Sequence, residues 1–188
     1  MILITFATQG EAVAVNLPGL PVEYLCTGVG KTCAAFALTR AIGQLKPELV
    51  LNIGTAGTLR YAVGDILACQ RFIDRDLETT NLPGVDYLLA NRLPHPVLRA
   101  LKSVVGGREL AEGFSVNTGD DFVTASHPFS GDVCDMEAFA QAYVCREMQL
   151  PFAAVKYVTD IVGQNSVKVW EERLADARQA LTHYFSSL

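Results

Sequence analysis

The sequence predicts an α/β protein: one domain over residues 1–188, with a central, mostly parallel mixed sheet flanked by helices. Three observations carry this. The continuous apolar runs Met1–Ala7, Leu49–Ile53 and Phe152–Val158 suit strands covered on both faces. Stretches with helical spacing alternate with such runs, the pattern of crossover connections. At 188 residues, 50% of them apolar, the chain buries one good-sized core and is most simply one domain.

In order, Met1–Ala7 reads as the first strand, without the basic start of a signal peptide. Glu11–Val15 suits a helical turn, stopped by the Pro18-Gly19-Leu20-Pro21 run. Val22–Thr27 is a short strand, and Thr32–Leu45 a helix with Ala34, Ala35, Leu38, Ile42 and Leu45 as its inward stripe. Leu49–Ile53 and Val63–Phe72 are strands, and Asp74–Pro94 a long polar excursion over a site or a partner subunit. A helix follows at Pro96–Val105 with Leu98 and Leu101 inward, then a strand at Phe114–Thr118. The last elements are a helix over Met136–Met148, the strand Phe152–Val158 and a helix over Val167–Phe185. Neither an internal repeat nor a low-complexity linker interrupts the pattern.

Composition narrows the function. The net charge of −5 is spread along the chain without a Lys/Arg cluster, which argues against nucleic acid or an acidic membrane as the partner. No apolar run reaches membrane-spanning length. Only 19% of residues are charged, which favours extra buried surface and a homo-oligomer. The five cysteines lack Cys-x-x-Cys spacing and read as thiols in a reducing cytoplasm.

Several motifs invite chemistry. Gly28-Val29-Gly30-Lys31-Thr32 approaches a phosphate-binding loop, but the position of its first glycine holds Leu25, so a tight strand-to-helix turn is the better reading. Gly54-Thr55-Ala56-Gly57 after a strand allows a ligand close to the backbone, with the Thr55 hydroxyl and the amides able to hold an anion or a water. His95, His127 and His183 stand apart, with no metal-ligand spacing. Glu11, Glu137 and Asp160 lie near strand ends, where α/β sheets place ligands. Alone, Asp160 reads more safely as a helix cap and Glu137 as an ordinary helix-entry carboxylate; with Glu11, the three together suggest acid–base work on a polar or neutral substrate.

Read in order, Thr27-Gly28-Val29-Gly30-Lys31, Asn52-Ile53-Gly54-Thr55-Ala56-Gly57, Val63-Gly64-Asp65, Thr118-Gly119-Asp120-Asp121-Phe122-Val123, Asp135-Met136-Glu137-Ala138 and Val158-Thr159-Asp160 resemble the nucleoside phosphorylase/nucleosidase superfamily. Within it the chain is most similar to the 5'-methylthioadenosine/S-adenosylhomocysteine nucleosidases of methionine salvage. The resemblance implies a cytoplasmic hydrolase of purine nucleosides that needs no metal or organic cofactor. It also implies a homodimer, with the stretch Arg71–Asp76 and Leu82-Pro83-Gly84 reaching the other subunit's site. Asp160 would protonate the purine at N7, and Glu11 would activate water. Glu137 would hold the ribose hydroxyls with Met136 against the sugar, Phe122 would stack on the base, and the Val123 backbone would read its edge. Thr55, Ala56, Gly57 and Thr159 complete the implied site.

The loop Ala7-Thr8-Gln9-Gly10-Glu11 lacks the arginine by which related phosphorylases hold phosphate, which favours water as the nucleophile. Three departures from the nucleosidase pattern stand out: a shortened Glu11–Val22 segment, Lys156 in place of arginine, and Thr159 in place of serine before the acid. A futalosine hydrolase, a phosphate-dependent purine nucleoside phosphorylase and a non-catalytic purine-nucleoside binding protein are the alternative readings.

Overall fold

The computed structural model describes every residue except 18, 81, 112, 124–128 and 164–165, and it does not describe the side chains of 166 and 167. His127 therefore lies outside the described residues.

Ten strands form one sheet: β1 (Ile2–Phe6), β2 (Val22–Cys26), β3 (Leu49–Thr58), β4 (Ile66–Asp74), β5 (Leu88–Ala90), β6 (Ser103–Val105), β7 (Arg108–Leu110), β8 (Phe114–Thr118), β9 (Val133–Asp135) and β10 (Phe152–Ile161). The helices are α1 (Lys31–Leu45), α2 (Arg75–Thr80), α3 (Pro96–Ala100), α4 (Ala138–Glu147) and α5 (Ser166–Ser186). β2, β1, β3 and β10 run parallel in that order. β10 then pairs antiparallel with β4, β4 runs parallel to β8, β8 parallel to β9, and β9 returns antiparallel to β3. The ladders thus close a ring of β3, β10, β4, β8 and β9.

Alternation along the central strands explains why both faces are covered. Ile2, Ile4, Leu49, Leu51, Ile53 and Val155 enter one apolar cluster with Leu181 and Phe185 of α5. Leu3, Val50, Phe152 and Ala154 enter the other, with Leu38 of α1 and Phe139 and Ala142 of α4. Phe72 and Phe152, both fully buried, meet there at 5.0 Å between ring centres.

Several elements differ from expectation. The strand expected to stop at Ile53 continues to Thr58, because β10 and β9 pair with its small-residue end. β10 likewise runs past Val158, through an irregularity between Val158 and Asp160, so Asp160 lies inside the strand rather than after it. β4 starts at Ile66 and extends to Asp74. The expected helix over 96–105 ends at Ala100: Leu101 turns extended, and Ser103–Val105 pairs with β7 as a hairpin. Gly106 and Gly107, at φ 56° and 75°, supply the two left-handed residues that such a two-residue turn requires. The polar excursion holds α2 and β5, and the three-residue β9 had no sequence signal. The first helical turn falls at Gln9–Glu11, before the expected Glu11–Val15, because Glu11 reaches back to the Thr8 amide. Leu45, expected inside α1, is 42% exposed at its last turn.

Candidate active site

The carboxyl ends of β1, β3, β8 and β10, with the β9–α4 junction, meet at a cavity of about 300 Å³. All ten residues singled out in the sequence line it: Glu11, Thr55, Ala56, Gly57, Phe122, Val123, Met136, Glu137, Thr159 and Asp160.

Glu11 follows β1 and is 8% exposed. Its Oε1 accepts from the Thr55 amide at 3.0 Å and the Thr55 hydroxyl at 2.7 Å. Its Oε2 accepts from the Thr8 amide and hydroxyl, both at 3.2 Å. The two Thr55 donors are therefore spent on an internal carboxylate rather than left for an external anion. This approach needs glycine at 54, where a Cβ would lie 3.0 Å from Glu11 Oε1.

Asp160 is 3% exposed and accepts from the Thr159 hydroxyl at 2.8 Å. A register shift lies between Val158 and Asp160, the kind of irregularity that commonly re-aims a side chain beside a site. Gly57 makes room for it: a Cβ there would stand 3.1 Å from Asp160 Oδ2 and 3.0 Å from Val162 Cγ2.

Glu137 precedes α4, and its Oε1 accepts from the Gly30 amide at 3.0 Å. Burial, then the neighbouring Asp135 carboxylate, raises its pKa to about 7, against the opposing pull of the Lys156 ammonium and the Gly30 N–H. Lys156, fully buried on β10, pairs with Asp135 Oδ2 at 2.8 Å. Burial alone would lower the Lys156 pKa, but Asp135, Glu137 and Glu11 outweigh it and hold the ammonium above its usual value. Asp135 also accepts from the Thr118 hydroxyl and the Ala138 amide, so one carboxylate joins β8, β9, α4 and β10.

Phe122 is 38% exposed at the cavity and meets Trp170 of α5 edge-on at 6.5 Å. The Trp170 indole N–H donates to the Thr55 hydroxyl at 2.8 Å. The near-miss phosphate loop is structural: Lys31 Nζ pairs with Asp74 at 2.9 Å and Asp76 at 2.6 Å, and its amide donates to Asp120. Asp121 pairs with Arg75 at 2.7 Å. His95 caps α3 through Nδ1, and His183 is exposed on α5.

Sequence reasoning missed Thr8, Asp135 and Trp170 as parts of this cavity. Thr8 was findable from its Thr-x-x-Glu spacing to Glu11. Asp135 stood in a quoted motif without a role, and Trp170 had no signal beyond being the sole tryptophan.

A family description, the phosphorylase superfamily, matches residues 4–187. The chain belongs to this superfamily. Solved structures agree in fold with the superfamily assignment. The 5'-methylthioadenosine/S-adenosylhomocysteine nucleosidase of Helicobacter pylori with butyl-thio-DADMe-Immucillin-A is 18% identical at a TM-score of 0.78, over 99% of this chain and 96% of that one. The nucleosidase of Colwellia psychrerythraea in complex with adenine is 21% identical at 0.74, over 100% and 95%. Futalosine hydrolase of Helicobacter pylori is 16% identical at 0.77, over 99% and 95%. At these identities the likeness is one of fold, and the chemistry of this phosphorylase-superfamily chain rests on its own side chains.

Two stability outcomes are expected from the buried charges. Lys156→Met leaves Asp135 buried without its counter-charge and is expected to cost about 3–5 kcal/mol in urea unfolding at pH 7. Glu137 keeps its proton in the folded state over a range where the unfolded chain releases it. Its contribution to stability therefore falls as pH rises from the ordinary 4.5 to about 7, and Glu137→Gln should flatten that fall in unfolding midpoints measured across the window.

Proposed function

We propose that this member of the phosphorylase superfamily is a purine nucleosidase that hydrolyses the N-glycosidic bond of 5'-methylthioadenosine/S-adenosylhomocysteine-type nucleosides. The observation that carries this reading is the state of the Thr55 donors. The amide and hydroxyl able to hold a phosphate are occupied by Glu11, and the nearby Lys156 ammonium is committed to Asp135. A phosphate dianion entering there would meet a carboxylate, whereas a water would meet a proton acceptor.

In this scheme Asp160 gives its proton to N7 of the purine, the glycosidic bond breaks with its electrons leaving on the base, and the sugar carries positive charge at C1'. A water adds to C1' and passes a proton to Glu11, yielding free base and a 5'-substituted ribose. Glu11, and Asp160 once its proton is given up, both buried, offer the cationic sugar negative potential. Glu137 accepts from the ribose hydroxyls with Met136 against the sugar. Phe122 packs on the base and the Val123 backbone reads its edge. Ala56, Gly57 and Thr159 form the floor beneath Asp160.

Among the described lining residues there is no lysine or arginine, and Ala7, Val29, Val123, Met136, Val162 and Trp170 supply apolar surface. This favours a neutral 5' thioether over an anionic arm. We further propose a homodimer in the cytoplasm. Leu82, Tyr87 and Leu88 of the polar excursion are 57%, 40% and 54% exposed, apolar surface that a second copy would cover. The described cysteines are free thiols, as a reducing compartment maintains them.

The decisive assay incubates the protein with methylthioadenosine, S-adenosylhomocysteine, futalosine and inosine, with and without phosphate. Base release from methylthioadenosine without phosphate is expected. Strict phosphate dependence overturns the hydrolytic reading, futalosine-only cleavage selects the alternative substrate, and binding without turnover selects a binding protein. Asp160→Asn is expected to keep the far-ultraviolet spectrum and to lower kcat by at least about a hundredfold, within the range for loss of a general acid. Retained activity would make Asp160 a structural acid only.

A further inference from the structure

α5 touches the neighbours of Glu11 at two points. Leu174 Cδ1 stands 3.3 Å from where a Cβ on Gly10 would be, one residue before Glu11. One turn earlier, the Trp170 indole donates to Thr55 Oγ1 at 2.8 Å, and Thr55 Oγ1 donates to Glu11 Oε1 at 2.7 Å. The direction of this chain is dictated by chemistry. An indole nitrogen only donates, so Thr55 must accept there; a hydroxyl has one proton, which is then committed to Glu11. Oε1 thereby holds two short contacts, from the Thr55 amide and hydroxyl, while Oε2 keeps two 3.2 Å contacts from Thr8. The carboxylate's acceptor sites are unequal, and the looser pair is on Oε2.

We infer that Trp170 is a positioning residue for the hydrolytic step, locking the Thr55 hydroxyl onto Glu11 Oε1 so that Oε2 is the oxygen that receives the water's proton. This rests on the nucleosidase reading. Without the indole N–H, the Thr55 hydroxyl loses the contact that fixes its orientation, and its bond to Glu11 Oε1 is held less firmly. The N–H itself is committed to Thr55 and not to the substrate, so its loss acts on kcat more than on KM. Trp170→Phe removes the N–H and keeps an aromatic, though smaller, ring beside Phe122.

The test is a double-mutant cycle on Trp170→Phe and Thr55→Val, read by base release from methylthioadenosine without phosphate. Trp170→Phe should lower kcat by about tenfold, as expected for one lost hydrogen bond in an active site, with KM moved by no more than about twofold. Thr55→Val should lower kcat at least as far, and adding Trp170→Phe to it should cost nothing more, because the two act through one chain. Thr55→Ser, which keeps the hydroxyl, should retain activity and dependence on the indole. An unchanged kcat in Trp170→Phe, an effect confined to KM, or multiplicative losses in the double variant would overturn the role. Trp170 is the only tryptophan, so its emission reports the hydrogen bond without turnover. Thr55→Val should shift the emission maximum of the resting protein, and Thr55→Ser should not. If the wild type releases no base from any nucleoside, the hydrolytic reading fails and the water-step role fails with it. The emission result then decides by itself whether the indole–hydroxyl bond exists.

Discussion

A single buried ammonium holds this structure's ring of strands and its cavity together. Lys156 and Asp135 form an ion pair with side chains only 2% exposed, in the interior, where an uncompensated charge costs several kcal/mol. The pair therefore fixes register. Lys156 lies opposite Gly54 on β3 and Leu67 on β4, and Asp135 lies opposite Thr118 on β8. Slipping any of these strands by one residue would send one charge to the wrong face and leave the other unpaired. Asp135 adds the α4 amide at Ala138 and the Thr118 hydroxyl, so the start of that helix is set by the same carboxylate.

The cavity inherits its electrostatics from this arrangement. One cation serves Asp135 at contact distance and acts on Glu137 and Glu11 from further away. Glu137 is consequently under-compensated, and burial lifts its carboxyl, whereas Glu11 is satisfied by four hydrogen bonds from Thr8 and Thr55. Two glutamates of one cavity thus differ by their donors. Such differences let carboxylates of one site divide roles as proton carrier and hydrogen-bond acceptor.

The fold class was legible because its signals are long. The β1, β3 and β10 runs and the α1 and α4 stripes needed only periodicity. What escaped was short or tertiary. β9 has three residues and exists because Gly57 and Thr58 of β3 offer it an edge. The end of α3 was missed because Pro96, Leu98 and Leu101 fit a longer helix, while Ser103 leaves it to receive the Ala68 amide. The ten residues that the resemblance implied for a site came from ordered motifs, and all of them line the cavity. Trp170 was not legible, since a lone aromatic in a helix reads as packing until its N–H is seen on Thr55. Lys31 shows the converse: a glycine-lysine motif whose ammonium is taken up by Asp74 and Asp76.

The shortened segment after Glu11 bears on whether the site is complete. Residues 12–17 are extended coil, yet Val13, Val15 and Leu17 are buried in the cluster under α5, and Tyr24 on β2 closes the run by bonding the Val15 backbone. The short segment is therefore packed into the core. None of these residues lines the cavity. The last cavity residue before the segment is Glu11, and its position is set by Thr8, Thr55 and Gly54, none of which belongs to the shortened stretch. The Glu11 carboxylate holds its four hydrogen bonds without any contribution from residues 12–17. A short segment at this point is thus compatible with the acid–base role proposed for Glu11.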